Sequence, residues 1–287
     1  MTGVQTCALP ISFNEKESRM RFQDFARAHG VVIDHVVLNK WVTTATTDHP
    51  RSKNGRYKII GKVGWVQNWA TMDKPVKWED DIGEIISPEF SKKLSEDNKK
   101  KSDEASTKAQ HIINRCKLET HPYLASKGFP DLKMKVWQSG QDKLLVIPMI
   151  NFKTLRGVQL IDKEGNKKFL YGQANKGAVF SFGTKGLPIF CEGVATGLSI
   201  HEVLKSHNID YTIYVCFSAS NLKFVASRFR KGIVIADNDS NGIGENSAIE
   251  TGKPYWLSAT IGHDFNDDYI KLGSLELSKQ LRQLIKV

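Results

Sequence analysis

Three carboxylates stand where they could do chemistry together. Glu192 follows the apolar run LPIFC and opens the hexapeptide EGVATG, while Asp237 and Asp239 follow the apolar run GIVIA in the segment ADNDSNG. Two acids one residue apart lie on the same side of an extended segment, with Asn238 turned away. Oxygen donors in that arrangement suit one or two Mg²⁺ ions, which take hard ligands and keep waters or substrate phosphates in their other positions. Gly193 and Gly197 would let the backbone and the following helix come close to a phosphate. The helix N-terminus would add donors and a positive dipole end for that anion. A lone DxD is a frequent accident, and loop carboxylates are ordinarily just solvated. A Glu after one buried strand together with a DxD after a later one is the stronger signal.

Such residues need a sheet to bring them together. LPIFC, YTIYVC and GIVIA read as short strands, and ATGLSIHEVLKSH and SNLKFVASRFR as the helices between them. GIVIA is apolar throughout, as in a parallel sheet covered on both faces. This alternation predicts an α/β fold with right-handed crossovers, whose ligands bind beyond the carboxyl ends of the strands. Upstream, KLLVIPMI, LRGVQLID, the turn at 163–166 and KKFLYG predict a small antiparallel meander. Before that, residues 86–118 are strongly polar, with charges of mixed sign four apart, and predict an exposed helix acting as a spacer. Residues 13–85 predict a small mixed α/β module. Its helix, SRMRFQDFARAHG, is closed by Gly30 in a C-cap position, and short β runs such as RYKIIGKVGWVQNWA follow.

Composition narrows the classes. The chain has 287 residues, 40% of them hydrophobic, enough for a real core. No apolar run approaches the ~18–20 residues of a membrane span. Lysine and arginine outnumber aspartate and glutamate by 41 to 31, a net charge of +10 that suits a polyanionic partner or simply a solubilising surface. Four of the six tryptophans, Trp41, Trp65, Trp69 and Trp78, lie in the N-terminal module among lysines and arginines. They suit stacking on unpaired bases, and equally the core of a small β-rich module. Cys7, Cys116, Cys191 and Cys216 are scattered, without a CxxC pair or a zinc spacing, so reduced thiols in a cytoplasmic protein are expected. No GxxxxGK[ST] motif occurs.

At CEGVATGLS and VIADNDSNG the chain resembles the TOPRIM domain shared by bacterial-type primases, topoisomerases, OLD-family nucleases and RecR-type repair proteins. EGVATG is similar to the EGYATG motif of phage and plasmid primases, including satellite-phage primase–helicases, with Val194 in place of the tyrosine. GHDFNDDYIKLG resembles the DFND-containing close of the same domain. HPYLASKG and the stretch from LLVIPMIN to KKFLYG resemble what precedes it, and WVTTATTDHPRSKNGRYKI with GWVQNWAT resembles the module before that. The likeness covers nearly the whole chain after Ser12.

The resemblance implies a TOPRIM, Rossmann-like parallel sheet preceded by the β meander and the small mixed N-terminal module. It implies that Glu192 is the catalytic acid, as general base or metal ligand, and that Asp237 and Asp239 hold Mg²⁺ or Mn²⁺ with Asp264 nearby. Lys168 takes the place of a basic residue facing template or nucleotide phosphates, and Gly193, Thr196, Gly197 and Asn266 complete the nucleotide- or DNA-binding set. The implied activity is primer synthesis: template-directed joining of ribonucleoside triphosphates on single-stranded DNA. The implied partner is a replicative helicase on a separate chain or in a missing region, in the cytoplasm of a bacterial host, with no membrane and no zinc. The alternatives are a non-catalytic TOPRIM module that binds nucleic acid and recruits a helicase, or a TOPRIM nuclease.

The expected divisions are 1–12, 13–85, 86–120, 121–185 and 186–287. MTGVQTCALPIS lacks the basic and apolar regions of a signal peptide. Residues 1–11 instead resemble a translated sequencing adapter, so they are expected to be disordered and foreign, with the true N-terminus missing.

Overall fold

The computed structural model describes residues 13–61, 63–79 and 88–285, so the adapter-like opening lies outside the described residues. The chain divides into two compact units, residues 1–95 and 96–287.

In the first unit, helix α1 (Phe13–Ala28) precedes an antiparallel sheet of β1 (Val42–Thr44), β2 (Gly55–Ile60), β3 (Val63–Asn68) and β4 (Val76–Glu79), in that order. The helix stops where Gly30 predicts. At φ +71° this glycine supports a Schellman closure, with the Gly30 N–H on the Arg27 carbonyl at 3.0 Å and the Val31 N–H on the Ala26 carbonyl at 2.9 Å. Phe22 lies in the core with Tyr57, Ile59 and Val66, so close to the sheet that a Cβ at Gly64 would fall 2.1 Å from its ring. The two readings of the tryptophans divide by residue. Trp78 packs on this core, 5.3 Å from the Phe22 ring. Trp41 and Trp69 remain exposed, and the Arg56 guanidinium lies 4.5 Å over the Trp41 ring.

Helix α2 (Pro88–Asn114) crosses the division between the units, and its second half is not the exposed spacer expected from its charge. Ala105, Ala109 and Ile112 are buried against Val146, Val158 and Leu170. These three recur at i, i+4 and i+7, one helical face. The surrounding lysines and glutamates hide that stripe from a reading based on charge alone.

The second unit continues with β5 (Lys117–Glu119), α3 (Pro122–Ser126), β6 (Met134–Ser139), β7 (Asp142–Asn151), β8 (Thr154–Ile161) and β9 (Lys167–Phe169). The five strands form an antiparallel meander paired in sequence order; β7, β8 and β9 are the three expected, and β5 and β6 extend it. Val146 and Val158 meet α2 on one face, while Leu145, Ile147 and Ile161 join the main core on the other. There follow β10 (Phe180–Gly183), β11 (Leu187–Cys191), α4 (Val194–Leu204), β12 (Tyr211–Val215), α5 (Ala219–Ala226), β13 (Ile233–Ala236), α6 (Ile243–Ile249), β14 (Tyr255–Leu257) and α7 (Phe265–Ile285), the last bent at Gly273. Their sheet runs β10-β12-β11-β13-β14, with β10 antiparallel and the other four mutually parallel. The expected division at 185/186 falls just after β10, but β10 pairs with β12 and belongs to this later sheet.

Apolar clusters cover both faces of the parallel sheet. Residues of α4 and α7 pack with Ile189, Ile213 and Ile235 on one face, and residues of α5 and α6 with Phe190, Val234 and Ala236 on the other. This is why GIVIA shows no alternation: all four residues of β13 are buried.

Candidate active site

The order of the parallel strands brings the acids together. β11 lies between β12 and β13, so Glu192 and Asp237 leave the carboxyl ends of neighbouring strands. Register pairs Ile189 with Ile233 and Phe190 with Val234, which carried forward sets Glu192 level with Ala236. Neighbouring strands lie about 4.8 Å apart, within reach of a shared cation.

The electrostatics show the crowding. Burial, with Asp237 and Asp239 next, pushes the Glu192 carboxyl up to about 8, against a donated bond from the Ala219 N–H and the nearby Lys167 cation. Burial also lifts Asp237 to about 7, helped by Asp264 and Asp239 and opposed again by Lys167. Glu192, Asp237, Asp239 and Asp264 thus share one field. The buried Oδ1 of Asp237 and the Oγ1 of Thr196 have no hydrogen-bond partner. An orphaned carboxylate oxygen beside like charges is the donor arrangement a hard cation relieves. Among the described residues no three His, Cys, Asp or Glu side chains close into a ready-made cage. The oxygen-only donors are of the type Mg²⁺ or Mn²⁺ takes, and one or two of these carboxylates would hold such an ion only with water or phosphate completing the shell.

The loop carrying the two aspartates is bolted in place by the chain that follows β14. Asn238 donates from its backbone to the His263 carbonyl at 3.1 Å and from its amide to the Ser258 carbonyl at 2.9 Å, and its own carbonyl accepts from Gly262. Buried Asp268 accepts from the Ser258 hydroxyl at 2.7 Å and pairs with His263 Nδ1 at 2.9 Å. From below, α6 approaches so closely that a Cβ at Gly244 would stand 2.2 Å from the Asp237 carbonyl. Asp264 and Asp267 cap α7 reciprocally, each carboxylate accepting the other's N–H at 2.9–3.0 Å. Asp264 is therefore a helix cap and a contributor to the field on Asp237 at once.

The remaining expected site residues separate. Gly193 is the extended N-cap of α4, which has no side-chain cap and no acid in its first turn. Gly197 does not face a ligand. A Cβ there would meet Val215 at 2.9 Å, so its small size serves helix-on-strand packing. Asn266 is fully buried and braces the core, its amide donating to the Lys127 carbonyl and to Ser199 Oγ at 2.9 Å each. As placed, Gly197 serves packing and the Asn266 amide nitrogen braces the core, while the buried Asn266 Oδ1 has no partner. Lys168 is exposed on β9, and the basic group that acts on both Glu192 and Asp237 is its neighbour Lys167. Strand alternation puts Lys167 and Phe169 on one face and Lys168 on the other. The Phe169 ring meets Phe217 edge-on at 6.3 Å, and the Phe217 N–H donates to the Glu192 carbonyl at 2.9 Å, which marks the site-facing side. KKF read as a strand contains the signal for Lys167, provided the facing side is known.

No family model matches this chain, and no curated protein does. A chain from the solved structure of the bacteriophage T7 lagging-strand DNA polymerase interacting with primase domains of two gp4 subunits, bound to an RNA/DNA hybrid and dTTP, is similar at 15% identity. The match covers 57% of this chain and 91% of that one, with a TM-score of 0.41.

Proposed function

We propose that this chain is a divalent-metal-dependent nucleotidyltransferase of the TOPRIM primase type, joining ribonucleotides on single-stranded DNA for replication of a phage or plasmid. The observation that carries the reading is the set of four carboxylates at the carboxyl edge of a parallel sheet, with a buried, unpartnered Asp237 oxygen at its centre. Asp237 and Asp239 would hold Mg²⁺ or Mn²⁺, with Asp264 adding negative charge. Bound there, the cation would supply Lewis acidity at the α-phosphate and lower the pKa of the 3′-hydroxyl, whose oxygen bonds to the α-phosphorus as pyrophosphate leaves.

The chain's own residues do the rest. Glu192, ionised once the cation offsets its neighbours' negative charge, takes the proton of the attacking hydroxyl on its carboxylate. Lys167 supplies a cation for the triphosphate, and the uncapped start of α4 at Gly193 presents N–H groups to the same anion. The Asp268 clamp keeps the Asp237-Asn238-Asp239 segment from swinging when its charges repel. A replicative helicase on another chain, in a bacterial cytoplasm, completes the proposed setting.

Incubating the purified chain with single-stranded template, Mg²⁺ and labelled ribonucleotides tests the proposal. Template-dependent oligoribonucleotides that vanish in Asp237→Ala are expected. Nicked DNA instead would identify a nuclease. Salt-sensitive binding without product, even with the cognate helicase, would identify a binding module.

A further inference from the structure

The tip of the hairpin between β7 and β8 carries a feature that the carboxylates do not use. Asn151 ends β7 and pairs with Thr154, the first residue of β8, so Phe152 and Lys153 alone make the turn. Both adopt positive φ, 45° and 69°. Two-residue turns of this hand favour Asn-Gly, because larger side chains are strained in the left-handed region. Phe152 occupies it nonetheless and is 83% exposed. A phenyl ring left in water on a strained turn does nothing for folding, and strain of this kind concentrates at functional sites.

Its surroundings say what it would bind. The Arg228 guanidinium lies 5.8 Å over the Phe152 ring and 4.2 Å over Phe224, and the Lys176 ammonium lies 4.6 Å over Phe224. Among the described residues, no carboxylate pairs with Arg228, Lys176 or Lys153, whereas the neighbouring Lys223 is neutralised by Glu250. The backbone around the patch is held by Asn221. Asn221 accepts from the Gly177 N–H at 2.7 Å and donates to the carbonyls of Ala178 and Cys216 at 2.8 Å, two residues from the start of α5. A Cβ at Gly177 (φ +76°) would crowd Asn151 at 3.0 Å and Phe224 at 3.1 Å, so only glycine lets the segment run this close under the patch.

We propose that Phe152, Phe224, Arg228 and Lys176 form a stacking platform for unpaired DNA on the same unit as the carboxylate site. A base packs on the exposed Phe152 ring, Phe224 backs the two cations from beneath, and the guanidinium and ammonium groups take the phosphates. An apolar protein partner would leave three cations unanswered, and a simple anion would not require the exposed ring. A strand with flat bases and a charged backbone satisfies both. The choice of DNA over RNA rests on the proposed function; the platform rests on the ring and the unneutralised cations.

The test is fluorescence anisotropy of the full chain with labelled oligo-dT in EDTA, where no synthesis can occur. Phe152→Ser is expected to weaken binding about five- to tenfold, with Phe152→Trp retaining it, as for loss and conservation of one base stack. Arg228→Gln is expected to weaken it similarly and to lower the salt dependence by about one phosphate contact. Unchanged affinity in both Phe152→Ser and Arg228→Gln would overturn the platform. So would an equal loss by Phe152→Ser on a duplex, since a duplex offers no free base face, and oligo-U binding more tightly than oligo-dT would overturn the assignment to DNA. Primer synthesis by wild type with binding unchanged in the variants removes the platform and leaves the proposed function. Platform binding in a chain that makes no primer does the reverse.

Discussion

The two sheets of residues 96–287 are built to opposite rules. In the meander, both faces are dressed with apolar side chains. Val146 and Val158 sit under α2, Leu145 and Ile147 face the main core, and the charges stay at the rim, as in the exposed pair of Lys143 with Glu119. At the carboxyl edge of the parallel sheet, four acids are drawn together, two of them largely buried, with one basic group, Lys167, acting on both buried acids. Like charges in low dielectric destabilise the folded chain, and an unpartnered buried oxygen adds to that cost. The meander is therefore a region whose substitutions change stability. The carboxylate edge is a region whose substitutions should change activity while relieving strain.

That contrast can be broken in order of expected effect. Asp237→Asn should reduce primer synthesis by about a thousandfold or more, since it removes a cation ligand, a loss comparable to that of other preorganised electrostatic groups. The same variant should melt at a higher temperature than wild type in EDTA; a lower melting temperature would show that the edge is not strained. Next is Ile112→Ala on α2, which should destabilise the chain by about 2–5 kcal/mol in denaturant melts while leaving the activity of the folded fraction intact. An effect within a few tenths of a kcal/mol would mean that the buried stripe of α2 is not part of the core.

The pH dependence sharpens the comparison further. Glu192 and Asp237 bind protons more tightly folded than unfolded, so the folded state carries more protons between about pH 4 and pH 8. The contribution of these two groups to metal-free stability should be full below about pH 4, fall as pH rises through about 7 and 8, and then level off, by about 1.4 kcal/mol for each tenfold difference in proton affinity; Glu192→Gln/Asp237→Asn should remove that slope. Saturating Mg²⁺ should flatten that slope, because the cation favours the ionised carboxylates. Chemical melts from pH 4 to 9 with and without Mg²⁺ measure both. The smallest effect separates neighbours on β9: Lys167→Ala should raise KM for nucleotide about tenfold, and Lys168→Ala less than twofold.

Much of this was legible from local pattern. LPIFC and GIVIA are too apolar for anything but buried strands, and Gly30 closes α1 as a helix C-cap should. The acids after them had to project from strand ends. The buried face of α2 was harder to see, because Ala105, Ala109 and Ile112 are diluted among charges whose i, i+4 pairing mimics a solvated helix. Asn266 and Gly197 show a related limit. A polar or small residue near a motif looks like a ligand contact until packing shows Asn266 bracing α4 and Gly197 lying against Val215.

By itself, the sequence determined which residues end the strands and that several of them are acids. Those features follow from side-chain periodicity over a few residues, which needs no partner to be read. Only the tertiary structure decided that β11 lies between β12 and β13, that Asp264 from the far end of the domain acts on Asp237, and that Lys167 comes near enough to act on Glu192 and Asp237. Each of these depends on which strands pair and which face of a strand the core leaves open. That choice is made by long-range burial over the whole unit, and no short stretch of residues encodes it.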